Sequence, residues 1–172
     1  MSAPLDPIDE SRRQWIEHGW GEEADGMSLV ISVMRIHQLF LARVDQVLRP
    51  LSLTFSRYEV LALLSFSRRG SLPMNKISKR LQVHATSTTN SVDRLETAGL
   101  AMRVPHPGDG RTTLVQITEA GRDLVETATR ALNSSVFSRP GLPAEPTRDL
   151  LARLGELRAA LEAPSGPHAA GA

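Results

Sequence analysis

The chain has 172 residues, 41% of them hydrophobic and 23% charged, with a net charge of +1. That length allows one domain, or one small domain with a dimerisation extension, and the apolar content is enough to bury a core. There is no cysteine, which excludes a disulfide scaffold, a thiolate metal site and a thiol redox sensor. Met1 to Pro7 is expected to be loosely ordered. Ile8 to Trp20 reads as a short amphipathic helix ending near Gly19. Met27 to Leu48 is the first long helix, with Val30, Met34, Leu41, Val44 and Leu48 forming one apolar stripe at spacings of three, four and seven. Pro50 stops it. Ser56 is expected to start the next helix with the capping box Ser56-x-x-Glu59, and that helix carries Val60, Leu61 and Leu64 as far as Arg69-Gly70.

Pro73 suits the first turn of a helix, where a missing N–H costs nothing. Met74 to Leu81 forms that short helix, Gln82-Val83 a turn, and His84 the N-cap of a helix from Ala85 to Ala98. Gly99 follows as a left-handed cap with Leu100 as its apolar partner. Ala101 to Val104 and Thr112 to Ile117 are short strands, separated by a loop punctuated by Pro105, Pro107, Gly108 and Gly110. Thr118 caps a helix running to about Val136, broken by Pro140 and Pro143. A last helix from Ala144 to Leu161 carries Leu150, Leu154, Leu157 and Leu161 in a heptad-like seam. Residues 163–172 are rich in Pro, Gly and Ala and are expected to be disordered.

The order from Ser71 to Gly121 (helix, turn, helix, charged hairpin) is that of a winged helix-turn-helix, which reads duplex DNA with one helix in the major groove. The charge distribution agrees. From Ser56 to Arg111 there are nine Lys and Arg against four acids, a net +5, which leaves −4 on the rest of the chain. Local phosphate binding needs such an asymmetry; a solvated basic surface is the bland alternative. On the helix from Ala85, one face (Thr88, Val92, Leu95) is placed to pack on Ile77 and Leu81. The opposite face carries Thr86, Ser87, Asn90, Ser91 and Arg94, short polar groups that can reach base edges and phosphates. With Lys76, Ser78, Lys79, Arg80, His84, Thr88 and Thr89 from the helix pair, and Asp109 and Arg111 from the hairpin tip, these are the candidate DNA contacts. An arginine on a narrow ribbon can enter the minor groove, and Asp109 can orient its guanidinium.

These motifs resemble the MarR family of bacterial winged-helix transcription regulators. The resemblance is carried by Val92-Asp-Arg-Leu-Glu-x-Ala-Gly-Leu100, the wing Asp109-Gly-Arg111 and Ile117-Thr-Glu-Ala-Gly121, and it spans Met27 to Leu161. It implies a mainly α fold with a small β-wing: a winged helix-turn-helix lobe (56–118) between N-terminal (8–55) and C-terminal (119–162) dimerisation helices. The apolar faces of Met27–Leu48 and Ala144–Leu161, wider than a lone winged helix can cover, independently favour dimerisation over a monomer. The family further implies a homodimer on a pseudo-palindromic operator and a small-molecule effector held between the dimerisation helices and the DNA lobe. Repression by promoter occlusion is the default expectation, since no polymerase-contacting segment is evident; activation is the alternative. Candidates to hold it are Trp15, Trp20, Arg35, His37, Arg43, Tyr58 and Glu59; the competing reading is that the tryptophans staple the first helix to the core. The helix with Trp15 is similar to the urate-sensing branch. There the tryptophan is paired with an aspartate and an arginine, whose positions here are held by Glu59 and Ser91, so the anion-binding arginine is lacking.

No catalytic motif is present: no nucleophile elbow, phosphate-cradling Gly-rich loop, metalloprotease motif or credible carboxylate pair. The five histidines show no ligand spacing, so neither a metal nor another cofactor is expected. No unbroken apolar run approaches the ~18 residues of a membrane span, and the first ten residues lack the basic and apolar parts of a signal peptide. The expectation is a cytoplasmic DNA-binding regulator without enzymatic activity or membrane partner. A winged helix serving only protein interaction, or a DNA-binding protein that needs no ligand, is the alternative.

Overall fold

The computed structural model describes residues 6–163. The loose N-terminus and the disordered tail expected from the sequence lie outside them, except for Asp6, Pro7 and Ala163. Asp6 and Pro7 are ordered parts of a helix start. The Asp6 carboxylate accepts the Ile8 N–H at 2.8 Å, and Pro7 opens α1 (Pro7–Glu17) at a position where a missing N–H costs nothing. The chain forms two compact units, Met1–Leu132 and Asn133–Ala172.

In the first unit, α1 packs on α2 (Ala24–Leu48), which begins one turn earlier than its apolar stripe suggests. Arg12 reinforces the contact with an ion pair to Asp25 at 2.7 Å. The stripe itself divides. Val44 and Leu48 are buried, whereas Val30 and Met34 are 58% and 61% exposed, together with Leu29, Leu39 and Phe40. By length and composition, Ala24–Leu51 is apolar enough to cross a membrane. No unbroken apolar run marks it in the sequence, because Arg35, His37 and Arg43 interrupt the run without outweighing it.

α3 (Phe55–Ser65) follows. Its N-cap is Thr54, not Ser56: the Thr54 hydroxyl accepts the Arg57 N–H at 3.4 Å. Ser56 lies inside the first turn, and the expected capping box with Glu59 does not form. Ser71–Pro73, which carries no strand signal in the sequence, forms strand β1, so Pro73 ends a strand and is the N-cap of α4 (Met74–Leu81). α5 (Ala85–Thr97) leads into the hairpin of β2 (Ala101–His106) and β3 (Asp109–Ile117), longer than expected and turning through Pro107-Gly108. The sheet is antiparallel in the order β1-β3-β2, with Leu72 opposite Val115 and Val104 opposite Leu114. Pro105 is tolerated because β2 is an edge strand.

α6 (Glu119–Leu132) closes the first unit. Leu48, Val60, Leu61, Leu64, Ile77, Val92, Leu95, Val115 and Leu132 form a buried core shared by helices and sheet. Gly99, at φ +69°, ends α5 as a Schellman motif: its N–H donates to the Glu96 carbonyl and the Leu100 N–H to the Leu95 carbonyl, both at 2.9 Å. Thr118 donates to the Gly99 carbonyl at 2.8 Å and accepts the Gly121 N–H at 3.0 Å, so one hydroxyl joins the end of α5 to the start of α6. Gly121 is required there, because a Cβ would lie inside contact distance of the Leu100 carbonyl oxygen. In the second unit, Asn133–Phe137 is a π-helical turn and α7 (Ala144–Glu162) presents Leu150, Leu154 and Leu161 to solvent. The architecture is the expected one, mainly α with a small β-wing.

Candidate nucleic-acid interface

α4 and α5 are joined by a turn in which Gln82 adopts a left-handed conformation, φ +53°. Ile77 of α4 and Thr88, Val92 and Leu95 of α5 point into the core. With that face fixed, the 3.6-residue period sends Thr86, Ser87, Thr89, Asn90 and Arg94 to the opposite, exposed side. Thr88 therefore leaves the set of candidate DNA contacts. It is 1% exposed, and its hydroxyl donates back to the His84 carbonyl at 3.4 Å. Ser78 is half-buried with its hydroxyl turned to the Met74 carbonyl. His84 occupies the N-cap position with no side-chain cap bond and stays exposed.

Lys76, Lys79, Arg80 and Arg94 are exposed and, among the described residues, form no ion pair. Arg103 differs. Its guanidinium, on β2, donates to Asp93 at 2.7 Å and to Glu96, while its backbone N–H donates to Glu96 at 2.7 Å. The bond to Asp93, aided by the charge of Glu96, holds the guanidinium above its ordinary pKa. Counting charges along the sequence treats Arg103 as a free cation; in the fold it is a brace from hairpin to α5. At the wing tip, Gly108 N–H donates to His106 Nδ1 at 3.1 Å and Thr112 to Asp109 at 2.7 Å. Arg111 lies two residues into β3.

Of the clefts that border this unit's helices, two hold candidate residues. One, of about 390 Å³, is lined by Thr54, Ser56, Arg57, Asn90, Ser91 and Arg94. Thr54 and Arg57 were not legible as site residues in the sequence, because they belong to a helix remote from the turn. The other, of about 620 Å³, is lined by Trp15, Trp20, Glu22, Glu23, Gly26 and Met27. The two indole rings lie 5.0 Å apart at 56°. Of the candidate effector residues only these two tryptophans come together. Arg35, His37, Arg43, Tyr58 and Glu59 line neither cleft. Tyr58 is buried with its hydroxyl 3.1 Å from that of Thr129. Glu59 is half-buried, and loss of water raises its carboxyl above the ordinary range.

A helix-turn-helix with an exposed polar second helix, unpaired cations and an antiparallel wing defines a winged helix-turn-helix DNA-binding protein. Comparison with known proteins narrows the class. The MarR family model matches residues 53–113. A MarR family transcriptional regulator of Streptomyces coelicolor, Sco5413, is 47% identical over 80% of this chain and 95% of its own, with a TM-score of 0.72. The HTH-type transcriptional regulator MT0903.1 of Mycobacterium tuberculosis is 30% identical over 77% of this chain and 89% of its own. A variant of Escherichia coli MarR solved with operator DNA shares the fold at 22% identity, covering 78% of this chain and 96% of its own with a TM-score of 0.71. The chain belongs to the MarR family: it is a DNA-binding helix-turn-helix transcription regulator and not an enzyme.

Proposed function

We propose that the protein acts in the cytoplasm as a homodimeric repressor, binding a pseudo-palindromic operator and covering promoter DNA. The observation that carries the reading is the exposed face of α5. Thr86, Ser87, Thr89, Asn90 and Arg94 enter the major groove, while Lys76, Lys79, Arg80 and His84 flank it and the wing residues Asp109 and Arg111 serve the minor groove. Residues 56–118 form the DNA lobe, with the helices of 8–55 and 119–162 serving dimerisation. Contiguous apolar surface marks an interface, and each unit exposes apolar side chains of its own: Leu29, Val30, Met34 and Leu39 on α2 in the first, and leucines of α7 in the second. The same interface accounts for the apolarity of α2 without a membrane.

The tryptophan cleft is the place for an effector that relieves repression. Two indole faces and two carboxylates line it, with no basic side chain, so it suits a neutral or cationic aromatic molecule better than an anion. Fluorescence anisotropy against duplex DNA from upstream of the protein's own coding region, with scrambled duplex as control, tests the reading. Tighter, saturable binding at one dimer per site is expected; equal weak binding to both would contradict it. Met34→Lys, which puts a charge on the exposed face of α2, is expected to shift the protein to monomer in size-exclusion chromatography with light scattering, and an unchanged dimer would exclude that face from the interface.

A further inference from the structure

Arg12, Arg13, Arg103, Arg130 and Arg153 each have a carboxylate partner within ion-pair distance. Arg57 and Arg94 have none among the described residues, yet both line the 390 Å³ cleft between α3 and α5. None of the six lining residues is acidic; the other four are Thr54, Ser56, Asn90 and Ser91. Arg57 is fixed in place, since its Nε donates to the Thr54 hydroxyl at 3.2 Å, and that hydroxyl lies 3.1 Å from the hydroxyl of Ser56. That bond uses Nε and leaves the two terminal nitrogens of the guanidinium as donors for a ligand. Arg94 reaches the cleft from α5, one turn beyond Asn90 on the same face. Two uncompensated guanidiniums, one held by a neutral hydroxyl and both surrounded by hydroxyl and amide donors, make an oxyanion site.

We propose that this cleft grips a backbone phosphate of the operator between the recognition helix and α3, with Arg57 as an anchor outside the recognition helix and wing. A cleft of this volume admits a phosphodiester or a free oxyanion. The placement decides for DNA. Asn90 and Arg94 belong to the face of α5 assigned to the major groove, so the cleft opens on the strand that borders the groove. The inference rests on that groove assignment. Arg57 then fixes the register of α5 on the duplex and contributes affinity without sequence preference.

The test is anisotropy titration of the full chain at several KCl concentrations, with operator and scrambled duplexes. Arg57→Gln is expected to weaken both complexes by the same factor. The fall in affinity between about 50 and 200 mM salt should shrink about 3.5-fold for each phosphate no longer neutralised, the consequence of a slope of about 0.9 per phosphate. Arg57→Lys should keep the salt slope. Ser56→Asp leaves Arg57 and Thr54 in place and puts an acid in the first turn of α3, where it favours the helix; it should weaken DNA binding with melting unchanged. An unchanged slope for Arg57→Gln together with unchanged affinity for Ser56→Asp would overturn the proposal. Inorganic phosphate is titrated against the DNA complex at matched ionic strength. Displacement beyond the KCl control that is abolished in Arg57→Gln, with the chloride slope intact, would assign the cleft to a free anion and overturn the DNA assignment. A wild-type protein that binds no duplex would overturn the groove reading and this inference with it.

Discussion

Replacing Arg103 with glutamine removes the brace between hairpin and recognition helix. The variant loses the guanidinium bonds to Asp93 and Glu96 but keeps the backbone N–H bond to Glu96. The partners are not deeply buried: side-chain exposure is 32% for Arg103, 53% for Asp93 and 29% for Glu96. Exposed ion pairs contribute about 0.2–1 kcal/mol each, and the paired geometry and partial burial put this one near the upper end, for a total of about 1–2 kcal/mol. For a chain of this size each kcal/mol moves Tm by roughly 2–4 °C, so the expected fall is roughly 2–8 °C by calorimetry. A second effect is electrostatic. Asp93 and Glu96 are left as two uncompensated carboxylates on α5, so the affinity for DNA falls with the stability. In the double variant Arg103→Gln/Glu96→Gln the loss should be less than the sum of the single changes, with a coupling of about 1 kcal/mol. A Tm within about 1 °C of wild type, or strict additivity in the double variant, would refute the brace.

Gly121→Ala drives a methyl group against the Leu100 carbonyl and within 2.9 Å of Ile117, and overpacking of this kind costs about 1–3 kcal/mol, read as a lower urea midpoint. Arg111→Ala is expected to weaken operator binding by about 1–3 kcal/mol at fixed salt, and an unchanged isotherm would remove it from the minor groove. Burial raises the Glu59 pKa in the folded state, so the folded state binds its proton more tightly than the unfolded state does. The charged carboxylate therefore costs stability above its ordinary pKa, and the cost vanishes as pH falls below that value. Glu59→Gln should raise Tm at about pH 7 and leave it unchanged at about pH 3.

Much of this molecule is legible along the chain because its signals are local. The Schellman end of α5 follows from Gly99 next to Leu100, the cap of α6 from Thr118, and the inward face of α5 from the spacing of Val92 and Leu95. The order of these elements points to a winged helix on DNA, and the family motifs between Val92 and Gly121 add the expectation of a homodimer on a pseudo-palindromic operator. The departures from expectation are equally physical. Thr54 and Ser56 are both capping residues two positions apart, and only the backbone path entering α3 decides between them. β1 is three residues long, too short for an alternating pattern, and exists because β3 offers it a partner. Thr88 counts as a DNA contact by its polar type, but the helical period that turns Val92 and Leu95 inward buries it as well.

The candidate site shows the same division. Its exposed helix face can be derived from period and burial pattern alone, since those depend on residues within a few turns. Charge pairing cannot. Arg103 is neutralised by Asp93 and Glu96 across the junction of hairpin and helix, while Arg57 and Arg94, far apart in sequence and alike in composition, share a cleft without a counter-ion. Coulomb interaction depends on distance in space, so the sequence settles which charges the chain carries, and the tertiary fold alone settles which of them remain for DNA.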